Sequence, residues 1–274
     1  MSVIQQGKSD LTLLRWAGSK RKLLPTLAPI IQSANANRYI EPFFGSGCLF
    51  FSLLPSYAIL GDLNKDLINF YKQLRSKPRV LHKLISSYKT SSKDYYQNRT
   101  LFNCEQDPTI RAALFFYLNR LSFNGIYRTN MNGDYNVPMG SKYGKFPSID
   151  DFCMVAKTLK GKEFIQGDFS KCLENVKCGD IVYLDPPYDY SGRIDRGEYG
   201  AGAFNKIDLT RLKIDLEMID SKGAKFVLSY LDVPDIGVIS KQWNSIGIDV
   251  KRQVASFSKN RKTVREMLIM NFTI

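Results

Sequence analysis

Histidine is almost absent: His82 is the only one in 274 residues. The five cysteines, Cys48, Cys104, Cys153, Cys172 and Cys178, are odd in number, irregularly spaced and form no CxxC pair. A closed zinc site needs four good ligands close together, which this set does not offer, so no metal is expected. Unpatterned cysteines also argue for reduced thiols over a disulfide framework. No apolar run approaches the roughly 18 to 20 residues that cross a bilayer. The start, MSVIQQGKSD, lacks the basic-then-apolar layout of a secretory leader. No internal repeat is visible. These absences predict a cytoplasmic protein with no membrane partner, and a monomer is expected.

What is present is positive charge and apolar bulk. Lys and Arg number 39 against 26 Asp and Glu, a formal net charge of +13, and 44% of residues are hydrophobic. The apolar fraction suffices for one large core. The basic residues run along the whole chain, which favours a polyanionic partner, because each neutralised phosphate releases counterions. Charge alone leaves an ordinary basic enzyme open.

The first seventy residues alternate in pattern. RYIEPFFGSG reads as a short strand ending in a glycine turn, CLFFSLLP as a helix, YAILGD as a second strand and LNKDLINFYKQLRS as a second helix. That order implies a doubly wound, mostly parallel α/β sheet. Residues 72–157 break the rhythm. LHKLISSYKT, KDYYQNRTLF and PTIRAALFFYLNRLSF look helical. The Gly-, Asn- and Tyr-rich NGIYRTNMNGDYNVPMGSKYGKFPS that follows reads as a long loop or small hairpin. The rhythm then returns through KEFIQGDF, DIVYLDPPY, a helix at KIDLTRLKIDLEMIDSKG, the strand KFVLSY and a terminal hairpin. A discontinuous catalytic domain, 1–71 with 158–274, carrying an inserted, mainly helical module at 72–157 is therefore expected.

The strongest chemical signal is Asp185-Pro186-Pro187-Tyr188, directly after the apolar IVYL. Open α/β sheets bind ligands at the carboxyl ends of their strands. The tetrapeptide suits methyl transfer to an amino group on a base. The exocyclic nitrogen of adenine is a poor nucleophile because its lone pair is delocalised into the ring. The Asp185 carboxylate and the Pro186 carbonyl can each accept one amino hydrogen and draw that pair out of conjugation. Two prolines stiffen the turn, and Tyr188 offers a face for an extruded base. A rigid structural turn is the competing reading.

Three further features sit at predicted strand ends. Glu41-Pro42-Phe43-Phe44-Gly45-Ser46-Gly47 lets backbone approach a cofactor, but it lacks the third glycine of the dinucleotide fingerprint, which argues against NAD. Asp62 is placed to take ribose hydroxyls. Asp168 is placed to accept an adenine amino group, with Phe169 packing on the ring. A helix N-cap is the alternative for both acids.

With these motifs in order, the chain resembles the Dam- and DpnM-type DNA adenine methyltransferases. The matching segments are RWAGSK at 15–20, EPFFGSG, GDLNKDLINFY, YLNRLSFNGIYRTN, NVPMG, GDF and DPPY. The resemblance spans nearly the whole chain and implies a Rossmann-like fold with S-adenosyl-L-methionine as cofactor. It implies that Trp16 and Lys20 hold the methionine portion, Phe43, Gly45 and Asp62 the ribose, and Asp168 with Phe169 the adenine, beside Asp185. Two departures stand out. WAGSK replaces the family's WAGGK, and DYSGRIDRGEYGAGAFNKID replaces its usual Ser/Thr- and aromatic-rich stretch.

The family partner is double-stranded DNA, usually read at GATC with the target base flipped out. The resemblance places Arg15, Phe123, Asn124, Ile126, Arg128, Asn130, Pro138 and Lys142 at the DNA. Arg128 can contact guanine O6 and N7 bidentately, Ile126 can press on a thymine methyl, and Phe123 or Asn124 can fill the vacated stack. Simple phosphate binding is the alternative for Arg128 and Arg15. Lys259, Arg261 and Lys262 form a basic turn suited to phosphates, or else a solvated hairpin tip. Cytosine N4 in DNA, adenine in RNA, and a catalytically silent DNA-binding relative remain as other readings.

Overall fold

Short apolar runs become strands wherever both faces can be covered. In the computed structural model, which describes residues 11–187, 204, 206–251 and 263–274, seven strands make one sheet. They are β1 (Arg38–Glu41), β2 (Ala58–Asp62), β3 (Glu163–Gln166), β4 (Asp180–Leu184), β5 (Lys225–Leu231), β6 (Asn244–Lys251) and β7 (Thr263–Met270). Their order is β3-β2-β1-β4-β5-β7-β6, parallel except for β7, which runs antiparallel to both β5 and β6. The expected Rossmann-like α/β fold is present, and the antiparallel β6–β7 pair is the expected terminal hairpin. Tyr188, the glycine-rich stretch up to residue 203 and the turn with Lys259, Arg261 and Lys262 lie outside the described residues.

The central strands are buried on both sides, and successive residues serve opposite faces. Ile40, Val182, Leu184, Phe226 and Leu228 enter one core. There they meet α8 (Phe169–Leu173), α9 (Lys206–Ser221) and α10 (Pro234–Ser240). Tyr39, Ile181, Tyr183 and Val227 enter the other. That second core also contains α1 (Leu24–Ser33), α2 (Cys48–Leu53) and α3 (Lys65–Ser76). From β1 the chain steps outward through β2 and β3, then crosses back to β4 and β5. The reversal between β1 and β4 opens a crevice at the carboxyl ends of the strands.

The excursion between β2 and β3 is helical. After α3 come α4 (Pro78–Ser87), α5 (Ser92–Cys104), α6 (Pro108–Leu121) and α7 (Ile149–Leu159). Helix α6 is apolar nearly all round: Ala112 through Leu118 are buried without a break, because α3, α4 and α5 surround it. Its N-terminus is set by Asp107, which accepts from the amides of Thr109 and Ile110. Sequence reading passed over α7, α8 and α10. Helix α7 carries its own signal, a capping box in which Ser148 and Asp151 satisfy each other's backbone.

The excursion is pinned to the sheet side by one buried acid. Asp66 of α3 takes Arg111 of α6 through both oxygens at 2.6 and 3.2 Å and also accepts from the Tyr127 hydroxyl at 2.8 Å. The predicted loop after α6 is hairpin-like. Bridges join Ser122 to Met139 and Thr129 to Tyr135, and the Tyr95 hydroxyl donates to the Val137 carbonyl. Among the described residues no helix is long and apolar enough to cross a membrane.

Candidate active site

The crevice collects residues far apart in sequence. An open cleft is lined by Trp16, Lys20, Phe43, Gly45, Asp62, Asp168, Phe169, Asp185, Pro186 and Pro187, together with Glu41, Tyr127 and Phe204. Every described residue expected at cofactor or catalysis is in that lining. Tyr188 falls outside the described residues.

The turn after β1 is held by the end of β2. Asp62 accepts the Gly45 amide through one oxygen at 2.9 Å and the Asn64 amide through the other at 2.8 Å. Asn64, not Asp62, caps α3. Burial pushes the Asp62 carboxyl up to about 6, against the pull of those two amides. Gly45 has φ +49°, and a Cβ there would stand 2.7 Å from Trp16 Cδ1. Glycine is therefore required at this point, and the indole lies directly against the turn. Trp16 also stacks on Tyr127, centroids 6.2 Å apart at 30°.

A second wall is aromatic. Phe43 and Phe169 stack at 5.4 Å and 28°, and Phe204 meets both at just over 6 Å. Phe204 was not anticipated from the sequence. Asp168 does cap α8, accepting from the Ser170 amide at 3.1 Å. It also binds Arg211 of α9 through both oxygens, at 2.6 and 3.3 Å, while that guanidinium lies over the Phe169 ring. Burial alone would raise the Asp168 carboxyl, but Arg211 and the Ser170 amide together hold the group below its ordinary range.

The floor is acidic with a cation set into it. Lys20 lies 2.7 Å from Asp185 and 3.8 Å from Glu266 of β7. Lys20 is 6% exposed and Glu266 2%. Glu41, also buried, accepts from the Tyr39 hydroxyl at 2.9 Å. Burial, with Asp185 and Asp62 nearby, pushes its carboxyl well up. Neither the Lys20–Asp185 pair nor Glu266 was foreseen. The available signal for Glu266 was an acid in register, two by two, with the apolar Val264, Leu268 and Met270 of the same strand.

The eight residues expected at DNA lie outside the cleft lining. Phe123 is 43% exposed at the tip of a turn, and Asn124 beside it adopts φ +55°. Ile126 is half-buried, while Pro138 and Lys142 are exposed. The Pro138 carbonyl accepts the Phe123 amide. Asn130 caps its own tight turn, its side-chain oxygen accepting the amides of Asn132 and Asp134. Arg128 donates through Nε to Asn136 Oδ1 at 2.8 Å. Arg15 packs against Gly125 and donates its amide to Asn119 Oδ1 at 3.0 Å. Asn119, buried in α6, also donates to the carbonyls of Arg15 and Gly125. It thereby ties the segment before Trp16 to the turn carrying Phe123. Sequence reasoning missed it, although an Asn among the apolar residues of α6 marked a buried polar junction.

Comparison with known proteins places this arrangement. The sequence model of the D12 class N6 adenine-specific DNA methyltransferases matches residues 16–256. The chain is 32% identical to the type II methyltransferase M1.LlaDCHI of Lactococcus lactis subsp. cremoris, covering 99% of both chains. It is 33% identical to the type II methyltransferase M.MjaIII of Methanocaldococcus jannaschii, covering 94% of this chain and 98% of that one. Identity to the DNA adenine methylase of Salmonella typhi is 30%, over 96% of each.

Proposed function

The chain belongs to the D12 class of N6 adenine-specific DNA methyltransferases, and from that premise we propose that it methylates adenine N6 within GATC of duplex DNA, using S-adenosyl-L-methionine. One observation carries the reading: the Asp185-Pro186-Pro187 turn opens into the same cleft as Trp16, Phe43, Asp62 and Phe169.

The residues of the cleft fit that cofactor. The close approach of backbone at Gly45, which a Cβ would block, and the buried Asp62 carboxylate suit a ribose bearing two hydroxyls. The Phe43–Phe169–Phe204 wall suits a purine packed against it. The surplus of carboxylates around Lys20 suits a sulfonium cation. Bound there, the cofactor supplies an electrophilic methyl group.

The protein's part is to make the amino nitrogen nucleophilic. Lys20, a buried ammonium at 2.7 Å, favours the ionised form of Asp185, and an ionised carboxylate can only accept hydrogen bonds. Asp185 takes one N6 hydrogen and the Pro186 carbonyl the other, an interaction that strengthens as the nitrogen becomes tetrahedral. An adenine stacked in a duplex cannot reach a strand-end crevice, so the base is extruded first. Residues 72–157 form the target-recognition module and 1–71 with 158–274 the catalytic domain, with Phe123 and Asn124 entering the gap and Arg128 reading guanine.

Tritiated methyl transfer to unmethylated GATC duplexes, to their single-base variants and to structured RNA tests this reading. Labelled N6-methyladenine confined to GATC is expected. N4-methylcytosine, or equal labelling of every duplex, contradicts it.

A further inference from the structure

Glu266 is a buried charge that the mechanism above leaves idle. It stands on β7, inside the sheet, between strands β5 and β6, where its neighbours Leu268 and Met270 are fully apolar and buried. An ionised carboxylate in such a place is costly unless something opposes it. The Ser229 hydroxyl donates to its Oε2 at 3.4 Å, and the Lys20 ammonium lies 3.8 Å from the same oxygen. Lys20 in turn is closer still to Asp185 and points its ammonium toward the Gly18 carbonyl at 3.5 Å. One cation is thus shared between an acid on β7 and the acid at the end of β4.

We propose that Glu266 is a positioning residue for methyl transfer, seating the Lys20 ammonium against Asp185 so that the carboxylate is correctly turned. The assignment rests on the role given to Asp185 above. Among the described residues, Glu41 of β1 and Cys48 of α2 feel Asp185, Asp62 of β2 and Tyr183 of β4 line the same cleft, and Tyr39 of β1 donates to Glu41.

The sign of the pH effect follows from charge. Removing a negative group lowers the pKa of each titrating neighbour, whether that neighbour is an acid or an amine. Glu266→Gln, which keeps the shape and a partner for Ser229, therefore moves both limbs of the single-turnover pH profile to lower pH. The peak rate falls by about tenfold on the scale where that factor is one step in transition-state stability. Binding of a non-reactive cofactor analogue, measured by titration calorimetry, stays within roughly threefold, since the loss is confined to the transition state. Glu266→Asp keeps the charge, so its limbs remain in place and part of the rate returns. Asp185→Asn is run in parallel.

An unshifted profile with a rate near that of the unaltered protein overturns the proposal. So does a rate loss fully matched by loss of analogue binding, which would make Glu266 a cofactor-site support only. If Asp185→Asn stays fully active, the Asp185 reading itself falls and the proposal falls with it. If Asp185→Asn is dead while Glu266→Gln is unaffected, only the positioning role is lost.

Discussion

The strand-end cleft and the turn at residues 123–140 are built in opposite ways. The cleft is assembled from the ends of β1, β2, β3 and β4 plus the segment before α1, so its residues are distant in sequence and mostly buried. The turn at residues 123–140 is local, and its key side chains are exposed or held by near neighbours, as Arg128 is by Asn136. Topology fixes the first, whereas short-range hydrogen bonds shape the second and a few long-range ones, from Tyr95 to Val137 and from Tyr127 to Asp66, anchor it. Substitutions in the cleft should therefore change chemistry or stability, whereas those in the turn should change target choice.

Three tests break or sharpen that contrast. The largest effect is expected where the two regions are joined. Arg111→Ala strands the buried Asp66, and breaking such a pair costs about 3–5 kcal/mol. Chemical denaturation should show that loss. A change below about 1 kcal/mol would mean that the pair is no more than an ordinary surface contact.

Next is the cleft itself. With the Asp62 carboxyl at about 6 when folded, above its ordinary value, the protonated form is favoured by folding. Its contribution to stability is full below about pH 4 and is lost as pH rises through about 6. Ribose hydroxyls need the ionised form, so cofactor-analogue affinity should rise over the same window. Asp62→Asn should flatten both dependences and weaken binding by roughly 1–3 kcal/mol. Unchanged binding with lower stability would reduce Asp62 to a clamp on Gly45.

The smallest effect on the fold, and the most selective on function, belongs to Arg128→Ala. Global stability should shift by less than about 0.5 kcal/mol, as for other surface changes. Discrimination at one base pair of GATC should fall by roughly 1–3 kcal/mol. One common factor across all sequences would make Arg128 a backbone clamp.

The same contrast explains what could be read from the sequence. Strand ends announced themselves because apolar runs such as IVYL stop at an acid, so Asp62, Asp168 and Asp185 were found before their meeting was visible. The helix-cap alternative then split: Asn64 took the cap that Asp62 might have held, while Asp168 keeps its cap and gains Arg211. Long-range partners left no local pattern. The ion pair of Lys20 with Asp185 joins a loop to a strand 165 positions away, and Glu266 looks like one charged residue in an alternating strand. Helix α7 was legible in its capping box but was hidden behind an irregular glycine- and proline-rich stretch.

The central claim is that the cleft activates an amino nitrogen through Asp185. The most direct test is the single-turnover methylation rate of Asp185→Ala on a GATC duplex, with cofactor-analogue affinity and melting measured on the same protein. A rate lost by far more than tenfold, which is ~1.4 kcal/mol, with folding and analogue binding largely retained is the predicted result. A loss under about tenfold would contradict the role given to Asp185.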